Sequence, residues 1–210
     1  MIEVILCDDH ALIRRGIRDT LCDASDIRVV GEAADEVELR SLMRTTRCDV
    51  LVLDINMPGR SGLDVLQTLK DEGTAVRVLV VSMYPEDQYA IRALRGGASG
   101  YVNKGGDPQT IVQAVRTVAQ GRKYLTPEIA QMLVDSLTPT PALAHQTLSD
   151  RELQTLLMIA SGKRLSDIAS ELTLSPKTVS VYRARVLEKL GLANNSELTV
   201  YAIRQRLIGE

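Results

Sequence analysis

The run Val50-Leu51-Val52-Leu53-Asp54, followed by Ile55-Asn56-Met57-Pro58-Gly59, decides the fold. Four aliphatic residues without a polar interruption read as a strand covered on both faces, the pattern of a parallel sheet between helices. Turn residues close the run, so Asp54 stands at the carboxyl end of its strand, where open α/β sheets gather ligands and chemistry. Taken alone, it could equally be a solvated turn residue.

Working outward, Ile2–Leu6 is a strand ending in Cys7-Asp8-Asp9, and residues 10–24 carry apolar positions Leu12, Ile13, Ile17 and Leu21 at helical spacing. Strands at Ile27–Ala33, Arg77–Ser82 and Gly100–Asn103 alternate with helices at Glu36–Thr46, Gly62–Glu72 and Glu86–Arg95, and Asp107-Pro108 opens a helix to Ala119. Five strands alternating with five helices predict a flavodoxin-like, doubly wound parallel sheet of order 2-1-3-4-5, with its switch point between strands 1 and 3. Asp8, Asp9 and Asp54 then meet in one crevice.

Three carboxylates repel unless a cation joins them, and oxygen ligands alone select a hard ion such as Mg²⁺. Ser82 ends the fourth strand with a hydroxyl, and Lys104 follows the fifth with an ammonium. Such a set would surround a phosphoryl group carried by Asp54 acting as nucleophile. Each residue alone has a bland reading, as acidic turn, cap or surface lysine. Their joint fall at the carboxyl ends of strands 1, 3, 4 and 5 favours a site.

These residues, with Met57-Pro58-Gly59 and with Tyr101 ahead of Lys104, resemble the receiver domain of two-component response regulators over about the first 120 residues. The resemblance implies that Asp54 takes phosphate from a sensor histidine kinase or phosphotransfer domain. It implies Mg²⁺ held by Asp9, Asp54 and the Asn56 backbone carbonyl, with Asp8 acting directly or through water. It makes Ser82 and Tyr101 a switch pair, the ring turning inward as the hydroxyl moves toward the phosphoryl group. Asn56 and Tyr84 occupy positions that tune dephosphorylation in this family. Gly105 departs from the proline common after the lysine, which leaves open whether that peptide bond is cis.

Composition excludes several classes. No Phe or Trp is present, so the core is aliphatic and the stacking platforms of single-stranded nucleic acid binding are reduced to Tyr. No apolar stretch reaches membrane-spanning length and the acidic start is no signal peptide, so the expectation is a cytoplasmic protein that contacts no membrane. Cys7, Cys22 and Cys48 lack metal-site spacing and read as small apolar residues. Acidic residues outnumber basic ones over the first 120 residues, and the reverse holds from 121 onward.

Residues 1–121 form the first domain on this reading. Residues 122–147 form a linker with a helix at about 126–137, then a stretch with two prolines in which His145 is solvated. Residues 148–210 are all helical. Ser149-Asp150-Arg151-Glu152 is a capping box, Ser166 caps a short helix to Leu172, and Ser175-Pro176 starts one that Gly191 ends. A last helix spans about Ser196–Leu207. The pair joined by Thr173-Leu174-Ser175 reads as a helix-turn-helix, with Val179, Tyr182, Val186 and Leu190 inward. Ser180, Val181 and Ala184 suit base edges, while Lys177, Arg183, Arg185 and Lys189 suit phosphate. A plain helical bundle with a charged solvated face is the alternative.

Leu148 to Glu152, Ile168-Ala169 and Leu174 to Val179 with Leu187 to Gly191 resemble the LuxR-type DNA-binding domain. A receiver joined to it marks the NarL/FixJ family. The resemblance adds Thr178 to the DNA set and makes Leu198, Tyr201, Ala202 and Gln205 candidate dimer contacts. It implies a phosphorylation-activated transcription regulator that dimerises, binds double-stranded promoter DNA and can meet RNA polymerase. It would not be an enzyme beyond Mg²⁺-dependent self-phosphorylation and autodephosphorylation. A phosphoryl sink and a constitutive protein-interaction regulator are the alternatives. The helix-turn-helix argues against the first and the complete acidic pocket against the second.

Overall fold

In a computed structural model the chain divides into two compact units, Met1–Thr138 and Pro139–Glu210. The structure describes every residue except Pro58, Pro85, residues 137–142, Arg206, Gly209 and Glu210, together with the Gln88 side chain. The expected helix end at Leu137, the Pro58 of the motif and both linker prolines lie outside the described residues.

The first unit holds strands β1 (Ile2–Cys7), β2 (Ile27–Ala33), β3 (Val50–Asp54), β4 (Arg77–Ser82) and β5 (Gly100–Asn103). They form one parallel sheet of order β2-β1-β3-β4-β5. Helices α1 (Ala11–Cys22), α2 (Glu36–Thr45), α3 (Gly62–Asp71), α4 (Glu86–Gly96) and α5 (Pro108–Ala119) alternate with them. Side chains alternate across a pleated sheet. Val4, Leu6, Val50, Val52, Leu79, Val81 and Val102 therefore form one buried layer with Ile17 and Leu21 of α1 and Ile111, Val112 and Val115 of α5. The intervening Ile5, Leu51, Leu53, Val80 and Tyr101 are buried on the opposite face. All of β3 is buried, as its unbroken apolar run requires.

A sixth helix, α6 (Pro127–Asp135), also belongs to this unit and packs against α4. After α5 the chain turns at Gly121, in the left-handed region, and lays Tyr124 beside the start of β5. Only a glycine at 100 permits this, because a Cβ there would come within 2.9 Å of the Tyr124 side chain. Thr126 then caps α6 and donates its hydroxyl to Glu86 at 2.8 Å, while Ile129 is fully buried. Residues 122–136, read from the sequence as linker, are folded onto the first unit.

The second unit contains a 3-10 turn (Ala144–Thr147) and helices α7 (Asp150–Ala160), α8 (Leu165–Glu171), α9 (Pro176–Leu190) and α10 (Asn195–Arg204). Helices α8 and α10 pack on the central pair α7 and α9. The capping box of Ser149 and Glu152 is formed. Ser166 is not a cap: α8 starts at Leu165, two residues earlier than that cap would place it, with Arg164 at its N-cap, and the Ser166 hydroxyl goes to Asp167 instead. His145 is not a free solvated residue either, because its ring nitrogen lies 3.0 Å from the Tyr201 hydroxyl. Of the three cysteines only Cys7 is buried. Cys22, at the end of α1, is exposed, and Cys48 is half-buried.

Candidate functional site

Parallel β1 and β3 run side by side, Cys7 paired with Leu53, so the residues that follow reach the same edge of the sheet. Asp8 and Asp54 are buried there, and Asp9 sits at the rim. Lys104, just past β5, lies 2.7 Å from Asp8 and 2.8 Å from Asp54, its own side chain buried. The ligand atoms of Asp8, Asp9, His10 and Asp54 lie within 4.8 Å of one another. One ammonium thus serves two carboxylates, and Asp9 pairs with His10 instead.

The electrostatics follow from burial. Desolvation pushes the Asp54 carboxyl up to about 6, against the pull of the Lys104 ammonium and with a smaller push from Asp8. Burial, helped by Asp54 and Asp8, also pushes the neighbouring Cys7 thiol up to about 12, so it stays neutral. Asp54 Oδ1, Asp9 Oδ1 and Asp8 Oδ2 are buried without a hydrogen bond, although the Lys104 ammonium lies 2.7 Å from the last and His10 Nδ1 2.7 Å from the Asp9 oxygen. Buried acceptors left short of donors suit a hard cation, and this oxygen donor set fits Mg²⁺.

A close backbone approach builds the pocket wall. The Gly62 amide donates to the Ile55 carbonyl at 2.8 Å, and a Cβ on Gly62 would stand 1.8 Å from the Asp54 carbonyl oxygen. Helix α3 starts there under a Ser61–Asp64 capping box, which anchors the segment after Asp54.

Ser82 Oγ accepts the Tyr84 amide at 3.1 Å, and the Tyr101 hydroxyl donates to the Tyr84 carbonyl at 2.7 Å. The Tyr101 ring is fully buried, and burial raises its hydroxyl pKa while the nearby Ser82 draws it partly back. The resemblance implied a ring that turns inward on phosphorylation; here it is inward already, beside unmodified Asp54. Tyr84 stacks on Tyr89 of α4 at 4.7 Å between ring centroids. The Lys104–Gly105 bond is trans, since no cis peptide occurs among the described residues.

In the second unit, α8 and α9 meet at a turn that places Thr173 at φ 53°. That conformation is strained for a β-branched residue. Ser175 caps α9 by accepting the Thr178 amide at 3.0 Å, with the Thr178 hydroxyl 2.8 Å from the same oxygen. Val179 and Val186 are fully buried. Lys177, Ser180, Val181, Ala184 and Arg185 are exposed along the other side. Two members of the proposed DNA set are engaged within the fold. Lys189 pairs with Glu152 of α7 at 2.6 Å, and Arg183 Nε donates to Asn195 at the start of α10. Of the proposed dimer contacts, Leu198 and Ala202 are fully buried in the unit's own core and cannot meet a second copy. Tyr201 is held by His145, and Gln205 is partly exposed. The apolar residues that α10 does expose are Val200 and Ile203.

Comparison with known proteins agrees with this geometry. The family described as "Response regulator receiver domain" matches residues 4–116, and "Bacterial regulatory proteins, luxR family" matches 146–202. The chain belongs to the NarL/FixJ family of two-component response regulators. It is 39% identical to response regulator UvrY of Escherichia coli K12, with 99% of this chain and 96% of UvrY covered. It is 38% identical to response regulator GacA of Pseudomonas aeruginosa, with 99% and 98% covered. Among solved structures it is similar to RcsB of Salmonella enterica serovar Typhimurium bound to promoter rprA with the phosphomimetic BeF3⁻. That match has TM-score 0.64 and 27% identity, over 95% of this chain and 97% of RcsB. The chain is therefore a phosphorylation-dependent transcription regulator that couples a receiver domain to a LuxR-type DNA-binding domain. No helix among the described residues is long and apolar enough to cross a membrane.

Three residues of this response regulator's site escaped the sequence reading. His10 stands next to Asp8-Asp9 in the sequence, where helical spacing marks it only as a helix start. Arg14 donates to the Asp8 carbonyl and pairs with Glu32 at 3.2 Å, holding the acidic turn against β2. Gly62 carries no signal short of the structure, because its role is proximity to a distant carbonyl.

Proposed function

We propose that Asp54 is the phosphoacceptor and that its modification switches promoter binding by α9. The supporting observation is the Asp54 carboxylate itself: buried at the end of β3, 2.8 Å from Lys104, with one oxygen free of hydrogen bonds. An Asp54 oxygen attacks the phosphorus of a phosphohistidine on a sensor kinase or phosphotransfer domain. The O–P bond forms as the P–N bond breaks, and the imidazole leaves with the electron pair. Lys104 neutralises charge on the transferring group and orients the carboxylate. Mg²⁺, when bound, would offset the remaining negative charge, held by Asp8, Asp9, Asp54 and the Asn56 carbonyl.

The Ser82 hydroxyl then exchanges the Tyr84 amide for a phosphoryl oxygen. With Tyr101 already inward, the step left to the switch is release or reordering of the Ser82–Tyr84 loop. We take residues 1–121 as receiver, 122–147 as the connecting segment that carries α6, and 148–210 as the DNA-binding domain. Lys177, Thr178, Ser180, Val181, Ala184 and Arg185 face the major groove of double-stranded promoter DNA, where RNA polymerase is the next partner. A phosphorylated homodimer spans two half-sites about one helical turn apart. The protein acts in the cytoplasm, and its own chemistry ends at gaining and losing the phosphoryl group.

The test is labelling of the full chain by a phosphorylated kinase, followed by footprinting on genomic DNA. Wild type should take label and gain promoter affinity, and Asp54→Ala should do neither. Label retained by Asp54→Ala would refute the assignment.

A further inference from the structure

Asn103 ends β5 and immediately precedes Lys104, and its amide works in both directions. Oδ1 accepts the Gly105 amide at 2.7 Å, and Nδ2 donates to the Tyr84 carbonyl at 3.1 Å. One neighbour can only donate and the other only accept, so the amide has a single compatible orientation. The Tyr84 carbonyl also receives the Tyr101 hydroxyl, and the Tyr84 amide rests on Ser82 Oγ. On the main chain, the Lys104 amide donates to the Ser82 carbonyl at 2.8 Å. Asn103 therefore joins the turn that carries Lys104 to the loop that carries Ser82 and Tyr84.

Gly105 is the other half of this arrangement. A proline there would have no N–H to donate. Any Cβ there would press to 3.1 Å on Asn103 Oδ1, closer than an ordinary contact. Glycine supplies both the proton and the room.

We propose that Asn103 is a positioning residue that clamps the Lys104 turn to the Tyr84 carbonyl, so that the ammonium and the β4–α4 loop move together. Hydrophobic or short side chains at 103 cannot bridge an N–H and a carbonyl at once, and an ionised carboxylate has no proton to donate to the Tyr84 carbonyl. The clamp gives the pocket a direct line to the switch loop that does not depend on the Tyr101 ring changing position. The inference rests on Asp54 being the phosphoacceptor.

The experiment compares full-length wild type with Asn103→Leu, Asn103→Ser, Gly105→Pro and the double variant Asn103→Leu/Gly105→Pro. Acetyl phosphate with Mg²⁺ is the phosphodonor, and the readouts are the rate of label uptake and the gain in promoter affinity on labelling. Thermal melts identify any variant that fails to fold, and the serine variant stands in for leucine in that event. Displacement of Lys104 by a fraction of an ångström should slow uptake by roughly ten- to a hundredfold in each single variant. The affinity gain per labelled chain should also shrink several-fold in Asn103→Leu. The double variant should be slower than Gly105→Pro by much less than Asn103→Leu is slower than wild type, because the shared hydrogen bond is already gone. Effects that multiply would overturn the proposal, as would wild-type uptake and affinity gain in folded Asn103→Leu. Equal labelling of wild type and Asp54→Ala would instead remove the phosphoacceptor reading, and the clamp's role with it.

Discussion

Two opposed forces act on the Asp54 carboxyl: burial raises its pKa and Lys104 lowers it, for a folded value of about 6. The unfolded chain has an ordinary carboxyl near 3.9. Folding therefore binds a proton more tightly than unfolding does, so this group's contribution to stability is greatest below about pH 3.9 and is lost as pH rises through about 6. In the absence of divalent cation, Asp54→Asn should stabilise the first unit by about 1–3 kcal/mol at pH 7, and the gain should vanish near pH 4. Lys104 keeps Asp8 as a partner in that variant. Urea melts at the two pH values decide it, and an unchanged midpoint at pH 7 would contradict the burial argument. At the other end of the chain, Thr173 sits at φ 53° in the turn between α8 and α9. Thr173→Gly should stabilise the second unit by about 1 kcal/mol, read from its melting midpoint. The carboxylates, Ser82 and Lys104 were legible as strand-end residues because unbroken apolar runs closed by turn residues locate strand ends. Gly62 and Asn103 were not, since each acts through an atom far away in sequence.

Among the elements, α9 shows how position divides residues of one chemical type. Lys177 is exposed near its start, whereas Lys189 near its end reaches Glu152, whose side chain is 3% exposed. Glu152 also receives the Ser149 amide, and these partners hold its carboxyl below the ordinary range despite desolvation. A depressed carboxyl contributes stability above its unfolded pKa and loses it as pH falls through the folded value. Lys189→Ala should therefore lower the stability of the second unit by about 1–3 kcal/mol at pH 7, because a buried acceptor loses its charged donor. Lys177→Ala should leave the melt unchanged, weaken promoter binding and reduce its salt dependence by about one ion. A melt shifted by Lys177→Ala and not by Lys189→Ala would reverse the assignment. Helical spacing alone gave both lysines the same phosphate role, since the partner of Lys189 lies on another helix. The same holds for Leu198 and Ala202, whose burial depends on how α10 meets α7. Helix α6 was legible as an amphipathic segment, and its docking on α4 was not.

At the scale of the whole molecule, two units each carry their own core, and the acidic crevice lies wholly in the first. A ligand stabilises the unit that binds it. Mg²⁺ at ten times its dissociation constant should raise the stability of the first unit by about 1.4 kcal/mol and leave the second unit's melt in place. Calorimetry of the full chain with and without Mg²⁺ reads this, and a shift confined to the second unit would exclude the crevice as the metal site. The sequence by itself determined the alternation of five strands with five helices, the strand-end carboxylates with Lys104, and the helix-turn-helix. These follow from local hydrophobic period, caps and turn residues, which act over a few positions. Tertiary structure alone decided that Tyr101 is already inward, that α6 belongs to the first unit, that Lys189, Leu198 and Ala202 serve the fold, and that Asn103 bridges Gly105 to Tyr84. Each of those outcomes depends on burial or a hydrogen bond between segments distant in sequence or on a side-chain direction that spacing does not encode.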